Sequence, residues 1–212
     1  MSLSILGAGH VGMALARALT RRGETVTLGV PEPARYRDAV QALGPHAILT
    51  TAEQAIDTGE VVILAVPYGA ALAIAAQRAD WQGRILVDAT NPLAPGLSGL
   101  SLGTTTSGAE ELARRAAGAR VVKAFNTTGA ENLADAAYPG GIPFMPVCGD
   151  DARARQRVMA LATRIGFDAV DAGALVSARW LEPFAMTWIH LAIPQGHGRD
   201  FAFAVLRRGA RA

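Results

Sequence analysis

The feature that most constrains this chain is an alternation. Short apolar runs recur at residues 3–6, 25–28, 47–49, 61–65, 85–87 and 120–124, and most are followed by a turn and then by apolar residues at helical spacing. The helical patterns fall at 11–22, 33–42, 53–57 and 69–77. The run at 61–65, Val-Val-Ile-Leu-Ala, has no polar position, as expected of a central parallel strand buried on both faces. Strands alternating with helices call for a parallel sheet with right-handed crossovers. The expected fold is α/β, a doubly wound and mostly parallel sheet. A first unit at 1–145 is followed by a small C-terminal extension at 146–212, with a strand at 146–148, a helix at 152–165, a strand at 169–170 and a helix at 175–193. The stretch 92–106, rich in Gly, Ser and Thr, reads as a long loop of the kind that is often functional, and 138–146 as a second irregular stretch.

Composition narrows the function classes. Half of the 212 residues are hydrophobic and 18% are charged, enough apolar material for a full core. A net charge of +2, with the basic residues scattered, leaves no footprint for nucleic acid. The single cysteine, Cys148, forms no internal disulfide and no CxxC motif, which fits a reducing compartment; the expected location is the cytoplasm. The uncharged stretch 3–16 lacks the basic start of a signal peptide. The uncharged run 61–77 is cut by Pro67-Tyr68-Gly69 and reads as strand, turn and helix rather than a membrane span.

Gly7-Ala8-Gly9-His10-Val11-Gly12 fits G-x-G-x-x-G, directly after a predicted strand and at the start of a predicted helix, the context in which the motif binds a dinucleotide. Gly7 permits the tight turn, Gly9 lets a pyrophosphate approach the backbone, and Gly12 lets helix and strand pack closely. The helix start then presents N–H groups and the positive end of its dipole to phosphate. His10 occupies a variable position and needs no catalytic role. At the end of the second strand an acid would hold the ribose of NAD; here Leu28-Gly29-Val30-Pro31 carries none, and Arg35 and Arg37 follow, so NADP is favoured. The histidines at 10, 46, 190 and 197 lack metal spacing, and no metal site is expected. The acidic pairs Glu110-Glu111 and Asp150-Asp151 read as helix-start residues. Lys123, the only lysine beside 19 arginines, lies at a strand end on the ligand-binding edge; a solvated or ion-paired role is weighed above a catalytic one.

Five stretches together resemble the NADPH-dependent reductases related to the coenzyme F420-dependent NADP oxidoreductase. They are the glycine loop, Ala65-Val66-Pro67, Asp88-Ala89-Thr90-Asn91-Pro92-Leu93, Val122-Lys123-Ala124-Phe125-Asn126-Thr127, and Ala178-Arg179-Trp180-Leu181-Glu182-Pro183. The Lys-Ala-Phe-Asn-Thr run also resembles the cytosolic domain of the six-transmembrane metalloreductases. The resemblance covers nearly the whole chain and implies a Rossmann-like fold, NADPH as donor, and a flavin or deazaflavin (F420-like) as acceptor. The chain departs from the family at Val30-Pro31, where a Ser-Arg pair is usual, leaving Arg35 as the matching cation.

The resulting expectation is hydride transfer by positioning alone, with no catalytic acid, base or nucleophile. Ala65, Val66 and Pro67 would flank the cofactor. Thr90, Asn91 and Pro92 would line its nicotinamide end, and Asn126 and Thr127 would face the small-molecule acceptor. Two alternatives stay open: a non-catalytic NADP(H) sensor, and a reductase of a small imine or carbonyl compound. Trp180, Phe184, Trp188 and Leu191, three or four residues apart, form an apolar stripe expected to build a homodimer.

Overall fold

The computed structural model describes residues 2–209. Eight strands form one sheet: β1 (Leu3–Leu6), β2 (Val26–Val30), β3 (Ala47–Thr51), β4 (Val61–Leu64), β5 (Ile85–Asp88), β6 (Arg120–Lys123), β7 (Phe144–Gly149) and β8 (Asp168–Asp171). Their spatial order is β3-β2-β1-β4-β5-β6-β7-β8. The first six run parallel, β7 meets β6 antiparallel, and β8 is parallel to β7. The chain reverses its direction of winding between β1 and β4, which opens a crevice at their carboxyl ends. β7 and β8 extend this same sheet, and the expected boundary at 145/146 falls inside β7.

Helices cover both faces. One core gathers α1 (His10–Arg21), α6 (Ala130–Ala134) and α7 (Ala152–Arg164) against one side. The other gathers α3 (Ala52–Thr58), α4 (Tyr68–Ala76), α5 (Gly108–Arg115) and α8 (Ala178–Ala192). This two-sided cover explains the unbroken apolar run of β4, whose four residues are all buried. The helical pattern at 33–42 divides into a 3₁₀ turn, Pro33–Tyr36, and α2 (Arg37–Gln41). The acidic pairs act largely as expected. Asp151 Oδ1 accepts from the Ala154 N–H at the start of α7, and Ser107 and Glu110 form a reciprocal cap on α5. Asp150 instead reaches across to the Leu175 N–H, at the 3₁₀ turn that leads into α8.

The stripe on α8 departs from expectation. Trp188 is buried within its own chain, stacked at 5.3 Å on Phe201, and its indole N–H donates to the Phe201 carbonyl. Phe184 packs between Phe144 and Phe203. The segment after α8 folds back and supplies the cover that the sequence reading assigned to a second subunit. Trp180 is the member left outside, 67% exposed. Cys148 is buried, and burial pushes its thiol up to about 12, which favours the protonated thiol over the thiolate. Among the described residues no helix is long and apolar enough to cross a membrane, and no cluster of three or more potential metal ligands occurs.

Candidate active site

The glycine loop joins β1 to α1 at the crevice. Gly7 takes φ +103°, and its N–H donates to the Gly29 carbonyl on β2. A Cβ at Gly7 or at Gly12 would lie under 3.0 Å from backbone, against the Ala65 carbonyl and the Gly7 carbonyl respectively. Gly9 differs from both. Its backbone is extended, at φ −77° and ψ −171°, and an added Cβ meets nothing within 4 Å. Two glycines are thus required by the fold, while the third keeps space clear.

That space lies at a bare helix end. α1 has no side-chain cap and no acid in its first turn, features it shares with α4 and α8, whereas Thr51, Ser107 and Asp151 cap α3, α5 and α7. The backbone donors of a 12-residue helix therefore face the loop without a protein acceptor from its cap residue. His10 is exposed beside Glu131, whose carboxyl, although burial opposes the shift, is held below its usual range first by its own backbone N–H, then by Arg199, and least by His10. Arg35 is exposed on the turn just past β2, its guanidinium 5.7 Å from the Tyr36 ring.

Farther along the edge lies a buried polar cluster that sequence reasoning did not assemble. Asp88 at the end of β5, Lys123 at the end of β6 and Glu182 on α8 are all 1% exposed or less. The Lys123 ammonium donates to Asp88 Oδ2 at 2.8 Å and to the Thr90 carbonyl at 2.7 Å, and pairs with Glu182 Oε1 at 2.8 Å. Asp88 Oδ1 accepts from the Thr90 N–H and hydroxyl. Glu182 accepts from the Gly108 and Ala109 N–H groups at the start of α5, where the helix dipole favours an anion. One cation and a helix end thus offset two carboxylates. Burial alone would lower the lysine's pKa; Asp88 and Glu182 outweigh it, and the net shift is upward. The signal in the sequence was the lone lysine among arginines, at one strand end beside an aspartate at the next.

Immediately beyond the cluster, Phe125 takes φ +66°, an uncommon conformation for a bulky residue. This turn brings Asn126 against Asn91. Asn91 Nδ2 donates to the Asn126 main-chain carbonyl and Asn126 Nδ2 donates to Asn91 Oδ1, both at 2.9 Å. The Thr hydroxyls do not take the places expected of them. Thr90 turns inward to Asp88, and Thr127, 2% exposed, points at Met145 Sδ, because the strand ends bury these side chains. Ala65 and Val66 are half-buried after β4, Pro67 is exposed and starts α4, and Pro92 is buried against the start of α5. Tyr68 packs its ring there too; burial, then the carboxylates of Glu111, Glu182 and Asp88, raise its phenol, which stays protonated. A groove of about 710 Å³ opens between the 97–104 loop and α8, lined by Leu97, Leu100, Leu102, Pro183, Met186 and His190 among others.

Comparison with known proteins shows which family the chain belongs to. The family model described as NADP oxidoreductase, coenzyme F420-dependent, matches residues 2–92. A crystal structure from Arthrobacter sp. FB24, of a protein assigned as an F420-dependent NADP-reductase, is 30% identical with a TM-score of 0.87, covering 98% of this chain and 100% of that one. The chain belongs to this oxidoreductase family. Within it, the glycine loop and β1 to β5 lie inside the matched region, whereas Lys123, Asn126 and Glu182 lie beyond it. The chain is also 34% identical to the metalloreductase STEAP3 of Rattus norvegicus over 183 residues, 85% of this chain but 35% of that protein, so it spans about a third of that relative's length. A reductive aminase from Aspergillus terreus, at 20% identity and a TM-score of 0.67, covering 92% of this chain and 62% of the other, shares the fold.

Proposed function

We propose that this protein binds NADP(H) along the carboxyl edge of β1, β4, β5 and β6 and exchanges hydride with a flavin or deazaflavin. The observation that carries the reading is the clear space at Gly9, beside a helix start that no side chain caps. A pyrophosphate fits both features, since it needs close backbone approach and unpaired N–H donors. The nicotinamide, when bound, supplies the hydride at C4. The chain's part is to hold two flat rings face to face and to keep water away, which needs no titrating group.

The apolar groove between the 97–104 loop and α8 favours a catalytic role over nucleotide sensing, since it offers a tricyclic ring somewhere to lie. NADPH oxidation measured against a panel of flavins, deazaflavins, quinones and cyclic imines tests the reading. Transfer of deuterium from C4 of NADPH to a flavin or deazaflavin is the expected result. Turnover with imines alone would move the protein to the second class, and tight NADPH binding without any turnover would make it a sensor.

The choice of nucleotide gives a separate expectation. Arg35 and Arg37 are both exposed past β2, and Arg35 is the cation that matches the family pattern, so NADPH should bind more tightly than NADH, by about 1.5–3 kcal/mol for one charge-assisted contact. Arg35→Ala should remove most of that gap in a fluorescence titration. A gap that survives the substitution would place the 2′-phosphate elsewhere. A preference for NADH would point instead to Glu32, two residues beyond the strand.

A further inference from the structure

Asn126 has an atom that the fold leaves without a partner. Among the described residues, Asn126 Oδ1 is the one buried side-chain nitrogen or oxygen atom with no hydrogen bond, on a residue only 5% exposed. Its orientation follows from the network around it. Asn91 spends its amide donor on the Asn126 main-chain carbonyl, so Asn91 Oδ1 must face a donor, and that donor is Asn126 Nδ2. Nδ2 lies 3.5 Å from the Leu181 carbonyl as well. Turning the Asn126 amide over would set its oxygen against these two acceptors. Oδ1 is therefore fixed as a desolvated acceptor, a state that costs stability until a donor arrives.

The position of Asn126 identifies the donor. It follows β6, three strands from the glycine loop in the order β1-β4-β5-β6, a span of about 14 Å at ordinary strand spacing. An extended nicotinamide ribotide anchored at α1 reaches in that direction. The acceptor must stack on the outer face of the nicotinamide, so the inner ligand is the one that meets a residue this deeply buried. The group on a nicotinamide that offers an N–H at its edge is the carboxamide. We propose that Asn126 Oδ1 accepts a hydrogen bond from the nicotinamide carboxamide and makes Asn126 a specificity-determining residue, an inference that rests on the proposed NADP(H) site. Asn126 Oδ1 is closed off from solvent, so the contact requires the paired Asn91 and Asn126 side chains to part at the ring's edge. A site with a buried acceptor rejects an analogue that lacks the donor, because the acceptor then stays unpaired.

The test compares NADP⁺ with its 3-acetylpyridine analogue, in which a methyl ketone replaces the carboxamide and removes its N–H donors. Binding is read by calorimetry with no hydride acceptor present. The wild type should bind NADP⁺ about tenfold more tightly than the analogue. Asn126→Leu should bind the two with equal affinity, and its retained binding of the analogue shows that the site is still folded. Where Asn126→Leu does not fold, Asn126→Ala, which also lacks an acceptor, carries the same comparison. Equal binding of both nucleotides by the wild type overturns the inference, and so does a preference that Asn126→Leu leaves unchanged. A wild type that binds neither overturns the NADP(H) reading itself, a different result.

Discussion

Lys123→Met is expected to cost about 3–5 kcal/mol of stability, because it strands two buried carboxylates. For a chain of this size that is a fall in Tm of about 6–20 °C. Asp88 keeps its bonds from Thr90 and Glu182 keeps those from the start of α5, so the cost comes from the missing positive charge. Lys123→Arg should also destabilise. The site offers three acceptors around one compact ammonium, whereas a guanidinium is larger, planar and carries five donors. This gives a reason for lysine at this one position in a chain whose other 19 basic residues are arginines. Urea melts of the wild type and both variants measure the effect, and a loss below about 1 kcal/mol for Lys123→Met would show the cluster to be dispensable.

The same cluster sets a pH dependence. The folded-state pKa of Lys123 lies above its ordinary value of 10.5, so the unfolded chain gives up this proton first as pH rises. The lysine's contribution is fully present below the ordinary lysine range and is lost as pH climbs through the raised value. Wild-type stability should therefore fall in strong alkali by this route, and Lys123→Met should lack that component of the fall.

The sheet was legible because each strand is a short apolar run between turn residues, and because β4 is apolar at every position. The glycine loop was legible because its spacing has a mechanical reason at each glycine. The direction of β7 was not, since nothing in Phe-Met-Pro-Val-Cys-Gly distinguishes a strand that runs against its neighbour. The Lys123 cluster was hidden for a related reason. Asp88, Lys123 and Glu182 are far apart in the chain, and only the order of the strands and the return of α8 over α5 bring them together. Thr90 and Thr127 were read by residue type as lining groups, but type does not say which way a side chain at a strand end turns. The stripe on α8 was correctly seen as apolar and needing cover. Its cover is Phe201 and Phe203, in a segment with no periodicity to announce it.

Gly9→Val and Gly12→Ala should part company, although they lie three residues apart in one motif. The valine enters open space on a backbone whose φ and ψ any residue adopts, so the stability of Gly9→Val should stay within about 0.5 kcal/mol of the wild type. Its side chain nonetheless fills the place where a pyrophosphate meets the start of α1, and NADPH affinity should fall by at least about tenfold. In Gly12→Ala a single methyl runs into the Gly7 carbonyl, a backbone atom that cannot swing aside. α1 must then move off β1, and the expected loss is about 1–3 kcal/mol of stability, with nucleotide binding lost as a consequence. Thermal melts with and without NADPH separate the two variants: the first keeps its Tm but gains little from nucleotide, the second starts lower. A Gly9→Val protein that NADPH stabilises as fully as the wild type would mean that the phosphates do not sit at this helix, whatever the loop resembles.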